Sequence, residues 1–367
     1  MLAGLSPNGQ SQFKGSGAPE RVMVATIDGI VTLGRNAGVA WDVASRSLEG
    51  SHISCITVLE KEGLIFAGLH GDGLFASADG GATWQRKVNG LASTHVFTVA
   101  DHEEDGQTVL YAGVEPAALY RSTDLGESWQ ELSNLKAVPG NDTWTFPGPP
   151  HQPHVKQVTF DPSSPDSIIA SVEQGALLRS DDRGQTWHEI TGYDQDDDTN
   201  YKDVHRVVLR PSNANEWFVP GGEGLHYTPD AGQTWERIPK PGAHIGYPDA
   251  FLFSPVDDSV AFIAGGIDSP GHWRETHTAN AAIAKSTDSG RTWRLLKEGL
   301  PDYLHDNVEA MTMYSWLGGY SIFAATTGGD VFLSENEGEA WTQIASGLAP
   351  VSKVGHYRLL APGAAAH

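Results

Sequence analysis

One eight-residue motif, repeated along the chain, constrains the fold more than any other feature. The pattern is Ser-x-Asp-x-Gly-x-Thr-Trp. It reads SADGGATW at 77–84, STDLGESW at 122–129, SDDRGQTW at 180–187, TPDAGQTW at 228–235 and STDSGRTW at 286–293. A weaker copy, SENEGEAW, lies at 334–341, and a decayed one, GRNAGVAW, at 34–41. Seven of the 11 tryptophans therefore share one slot. Each copy sits between two short β runs, such as GLFA before and QRKV after the copy at 77–84. The chemistry is that of a turn: Asp accepts hydrogen bonds from backbone amides, Gly permits positive φ, and Trp packs between neighbouring repeats. The motif aspartates are accordingly read as structural, not catalytic.

The motif resembles the Asp-box, or BNR, repeat of sialidase-like β-propellers, over nearly the whole chain. The resemblance implies an all-β fold of four-stranded blades. The second repeat gives the strands as 52–59, 64–69, 74–77 and 84–88, and the later first strands fall at 96–99, 155–160, 204–209, 249–253, 308–313 and 356–361. The last of these has no following strands, and the first repeat has no inner strand. The expectation is a seven-bladed β-propeller closed by the C-terminal strand pairing into the N-terminal blade. It occupies 20–362 as one domain, with 1–19 a flexible, Gly/Ser-rich leader and 363–367 a tail.

Spacings between successive motif tryptophans are 43, 45, 58, 48, 58 and 48 residues. The surplus lies at 135–153, 192–203 and 300–307, between a last and a first strand, and at 267–281, between a second and a third. In an up-and-down blade these connections share one face, opposite the motif turns, and long loops on a rigid scaffold are where function resides. The stretch 194–203, DQDDDTNYKD, is strongly acidic; 138–153, VPGNDTWTFPGPPHQP, is rich in Pro, Gly and aromatics.

Charge narrows the partners. The 24 Lys and Arg against 46 Asp and Glu give a net charge of −22, which argues against nucleic acid or an anionic membrane as partner. The single cysteine, Cys55, excludes an internal disulfide and a Cys-based zinc site. No apolar run is long enough to span a bilayer, and no signal pattern precedes the repeats, so the expected location is cytoplasmic.

Histidine placement is the one pattern that points to chemistry. Seven of the 15 histidines fall at or near the start of an inner strand: His52, His95, His154, His205, His244, His305 and His356. Aligning the second strands places His70, Glu115 and Glu173 in one slot, so that His52 faces His70, His95 faces Glu115 and His154 faces Glu173. Imidazole and carboxylate converging on one channel mouth suit a divalent transition metal, Zn, Mn, Fe or Ni. The candidate metal ligands are His52, His95, His154, His205, His305 and His356. His70, Glu115, Glu173 and His205 are the candidate acid/base groups, and Trp144, Tyr247, Trp273, Arg274 and Tyr303 the candidate substrate walls. The expected activity is a metal-dependent hydrolase or lyase acting on a small molecule. The alternative is a non-catalytic binding or assembly scaffold, as in the Ycf48-like photosystem assembly factors that share the repeat. A sialidase-like glycosidase ranks lower: the early Arg-Ile-Pro motif of that family is absent, Glu115 and Glu173 do not straddle a sugar, and the chain is half the length of two-propeller xyloglucanases.

Overall fold

Residues 2–36, 40–194 and 202–360 are described by the computed structural model. The centre of the decayed motif (37–39), most of the acidic stretch (195–201) and the chain end, with the final residue of the expected closing strand, lie outside them. The chain divides into two compact units: a central one, Ser54–Arg237, and a terminal one, Met1–Ile53 with Ile238–His367.

The central unit is built of four-stranded repeats. The clearest runs His154–Phe160, Ile168–Glu173, Ala176–Ser180 and His188–Ile190, each strand hydrogen-bonded to the next. Its second strand is buried at every position, because neighbouring sheets cover both faces. Tyr111 and Leu119 of the preceding repeat pack against Val155, Ala170 and Leu178 of this one. A methyl on Gly113 would lie 2.5 Å from the Val155 carbonyl, so glycine is what lets the two repeats approach. Cys55 is enclosed in the adjoining core, and burial pushes its thiol up to about 12.

The motif turns are made as the sequence reading expects. Asp79 accepts from Ser77 Oγ at 2.8 Å, Thr83 N at 2.8 Å and Thr83 Oγ1 at 2.6 Å, while Gly81 N donates to Ser77 Oγ at 2.8 Å. The same bonds recur around Asp124, Asp182, Asp230 and Asp288. These donors hold the exposed Asp79 and Asp124 carboxyls down at about 2. Two motif tryptophans tie their turn to the repeat before it: Trp129 Nε1 donates to Lys87 O at 3.0 Å and Trp235 Nε1 to Thr191 O at 3.2 Å; Trp84, Trp187 and Trp293 close their own turns on Gly81, Gly184 and Gly290 O.

Four inner strands share a second feature. Their ladders shift register between Val96 and Thr98, Val155 and Gln157, Pro248 and Ala250, and Val308 and Ala310. The residue left over at each β-bulge is Phe97, Lys156, Asp249 or Glu309. A bulge re-aims the side chain it carries, and these four are buried.

Both chain ends depart from expectation within the terminal unit. The N-terminal segment is not a free leader. Leu2–Leu5 pairs in parallel with Arg21–Thr26, and Gln12–Lys14 pairs in parallel with Val308–Trp316. The C-terminal segment is not a closing strand over its described residues. It crosses as an irregular strap, with Ile27 N donating to Pro350 O at 2.9 Å, and ends in a short helix, Tyr357–Leu360. Leu360 buries in the core formed by Trp273 and Leu252, which a helical turn reaches from this position. The insertion 267–281 contains a second helix, Pro270–Thr276, packed on the first. No helix among the described residues is long and apolar enough to cross a membrane.

Candidate functional site

Among the described residues, each unit carries a buried cluster of charged side chains around its first strands. In the central unit the first strand of each repeat brings its leading histidine against the end of the second: His95 is the register partner of Glu115, and His154 of Glu173. His154 is fully buried, and its Nε2 lies 2.7 Å from Glu173 Oε2. The other Glu173 oxygen accepts from Lys156 Nζ at 2.7 Å. Lys156 reaches it because it occupies the bulge two residues after His154. His205 Nε2 lies 3.7 Å from Glu173 Oε1 and 3.3 Å from Asp203 Oδ1. On its other edge, His154 Nδ1 is 3.7 Å from Glu115 Oε2. The polar chain thus runs from Asp203 through His205, Glu173 and His154 to Glu115, where it meets solvent: the Glu115 side chain is 16% exposed. Rings enclose the link. Phe97 stacks on His154 at 3.7 Å and 17°, Phe146 meets it edge-on at 5.0 Å, and His70 meets Phe97 at 4.5 Å. Burial pushes the Glu115 carboxyl up.

In the terminal unit the carboxylates sit on the bulges. Asp249 accepts from Lys353 Nζ at 2.5 Å and from Asn307 Nδ2 at 2.7 Å. Glu309 accepts from His356 Nδ1 at 2.8 Å and from Lys353 N at 2.7 Å. Burial alone would raise Glu309, but the His356 and Lys353 charges beside it outweigh that and hold it below its ordinary value. The cluster is roofed: Tyr247 lies under the Lys353 ammonium at 5.0 Å, and Trp273 stands edge-on to His356 at 5.6 Å and to Tyr247 at 5.4 Å.

Taken unit by unit, the expected metal ligands do not meet at one point among the described residues. Within the central unit, His154 and His205 meet only through Glu173, and His95 is exposed. Within the terminal unit, His52 Nε2 bonds Ser352 O at 2.7 Å, burial lowering its pKa, and His356 bonds Glu309, while the His305 side chain is 61% exposed. One trio, Glu173, Asp203 and His205, offers ligand atoms all within 4.8 Å of one another. Glu173 already holds the Lys156 ammonium there, and a dication on the same oxygen would be repelled by it. The substrate walls change role as well. Trp273 and Tyr247 are core residues, 0% and 3% exposed, which anchor the inserted helix. Trp144 packs half-buried over Gly175, Arg274 is exposed, and Tyr303 stacks on His244 at 4.3 Å. The sequence reading missed Lys156, Lys353 and Asp249, the residues that close both clusters.

Three kinds of relative bear on this arrangement. The family model described as Sortilin, neurotensin receptor 3, matches residues 175–314. A xyloglucanase of a Paenibacillus species is 27% identical over 235 residues, covering 56% of this chain and 22% of that protein. Xyloglucanase Xgh74A of Acetivibrio thermocellus is 27% identical over 165 residues, covering 38% of this chain and 19% of that protein. The chain therefore spans about a fifth of the length of these curated relatives. Among solved structures, an ancestral GH74 enzyme aligns with a TM-score of 0.60 at 18% identity, over 80% of this chain and 38% of that one. YCF48 bound to D1 peptide aligns with a TM-score of 0.55 at 15% identity, over 90% of this chain and 95% of that one.

The chain is a β-propeller protein. Its relatives overturn the expectation of a metal-dependent hydrolase or lyase acting on a small molecule: those that match in sequence are xyloglucanases.

Proposed function

We propose that this propeller is a non-catalytic binding module that holds a segment of a partner protein. The observation that supports it best is the neutralisation of the buried carboxylates Glu173 and Asp249. Glycoside hydrolysis needs two carboxyl groups facing a sugar across open space, one donating a proton and one attacking or activating water. Here Glu173 is held by Lys156 and His154, and Asp249 by Lys353 and Asn307. The buried His154 ring stands between Glu173 and Glu115, so no sugar fits between that pair. The fold match favours the same reading: YCF48 bound to D1 peptide aligns over 90% of this chain and 95% of its own. The sheets support seven blades, four from the central unit and three from the terminal one.

Sequence likeness to xyloglucanases favours a second reading, glycoside cleavage. One experiment separates the two. The full chain is incubated with xyloglucan oligosaccharides and, in parallel, screened against an immobilised peptide library. The binding reading expects peptide capture and no release of reducing ends. Cleavage that disappears in Glu173→Gln would replace it with the glycosidase.

A further inference from the structure

The two charged clusters differ in one respect that points to a ligand. Glu173, Asp249 and Glu309 each accept from a cationic or amide donor, whereas Glu115, at the solvent end of the central chain, accepts no hydrogen bond from the lysines and histidines around it. His154 Nδ1 approaches its carboxylate to 3.7 Å, beyond hydrogen-bond range. The group is largely withdrawn from water and its burial disfavours the charged form. A carboxylate in that position gains most from a ligand that brings its own positive charge.

The surroundings specify the ligand further. Phe146, half-buried, meets the buried His154 ring edge-on and supplies an aromatic wall on that side, while Phe97 covers His154 itself. His70 and the exposed His95 continue it outward, their rings 6.3 Å apart. Phe146 is carried on the Pro/Gly-rich 138–153 insertion, which is pinned to the neighbouring hairpin by Thr145 N donating to Gln174 O at 3.2 Å. A planar cation satisfies both demands, with its donors on the carboxylate and its face on the rings. The net charge of −22 draws cations toward the protein at long range.

We propose that Glu115, with the rings of His70, His95 and Phe146, is a receptor for one arginine side chain of the bound partner segment. The inference rests on the binding reading above and gives it a partner chemistry: a peptide that presents an arginine. Lysine fits less well, because its point charge leaves the aromatic wall unused. A neutral sugar would leave the carboxylate's charge uncompensated.

The test uses the full chain with side-chain-labelled histidine and phenylalanine, observed by NMR. The probe is N-acetylarginine amide, and the control is the citrulline analogue, which has the same shape without the charge. Saturable shifts of His95 and His154 are expected with the arginine probe. Affinity falls by about tenfold or more for citrulline and for Glu115→Gln, the loss of one charge-assisted contact. Phe146→Ala weakens binding by about threefold without altering the motif-tryptophan fluorescence that reports folding, consistent with an exposed ring contact. Equal affinity for arginine and citrulline, or an unchanged affinity in Glu115→Gln, overturns the receptor. The two failures are distinguishable: if library peptides still bind Glu115→Gln, only the arginine receptor falls, whereas xyloglucan cleavage removes the binding reading itself.

Discussion

The central and terminal units solve one problem in two ways. Both bury inner-strand carboxylates, and both answer them with one lysine and one histidine. In the central unit the lysine occupies the bulge and the carboxylate comes from the next strand, Lys156 against Glu173. In the terminal unit the bulges carry the acids, and the lysine arrives on the C-terminal strap, Lys353 against Asp249. The outcomes differ. The terminal cluster is shut under Trp273 and the two short helices, whereas the central one ends at a half-buried Glu115 with exposed His95 beside it. A closed charge cluster fixes structure; an open one is available to a partner.

That contrast is broken or sharpened by substitution. The largest effect is expected for Lys353→Met, which removes the ammonium from Asp249 in a roofed site. Removing one partner of a buried ion pair costs about 3–5 kcal/mol, read from the chemical-unfolding midpoint. Lys156→Met is expected to cost less, about 1.5–3 kcal/mol, because His154 still holds Glu173 and supplies the charge when protonated. Equal losses in the two variants would remove the distinction between the clusters.

Acid titration separates the units by sign. Glu309 is held below its ordinary 4.5, so its contribution is present above that value and is lost as pH falls through the folded pKa. Glu115 is raised, so its charged form opposes folding and its protonation on acidification is favourable. Unfolding midpoints measured from pH 7 downward should therefore show a flattened acid loss in Glu309→Gln relative to the parent, and no flattening in Glu115→Gln. The motif aspartates lose their contribution lower still, between 3.8 and about 2 for Asp79. The smallest expected effect is that of Glu115→Gln at neutral pH, within about 0.5 kcal/mol of the parent stability, as for a group whose carboxylate has no intramolecular donor. A large loss there would mean that Glu115 is part of the frame and not open to a ligand.

The motif turns were legible because every residue in them acts locally: Asp79 needs only Ser77 and Thr83, a few positions away. The facing pairs His95–Glu115 and His154–Glu173 were legible because register follows from the hydrophobic pattern of adjacent strands. The lysines were not. In a strand such as HVKQVTF a lysine reads as solvent-facing, and no residue type announces the bulge that turns Lys156 inward. Lys353 and Asp249 meet only through the path of the C-terminal strap, which is a tertiary fact. The N-terminal strand Leu2–Leu5 is too short to stand out beside its Gly/Ser-rich neighbours, and parallel pairing leaves no turn signal. The apolar run Tyr357–Leu360 is as compatible with a helical turn as with a strand, and packing against Trp273 decides it.

Each cluster holds a carboxylate with its own lysine, Lys156 on Glu173 and Lys353 on Asp249. Lysine ammonium NMR on nitrogen-15-labelled protein tests it directly. At neutral pH two ammonium signals should exchange slowly with water, one vanishing in Lys156→Met and the other in Lys353→Met. Absence of slowly exchanging ammonium signals in the parent protein would contradict the account and return Glu173 and Asp249 to the pool of groups available for chemistry.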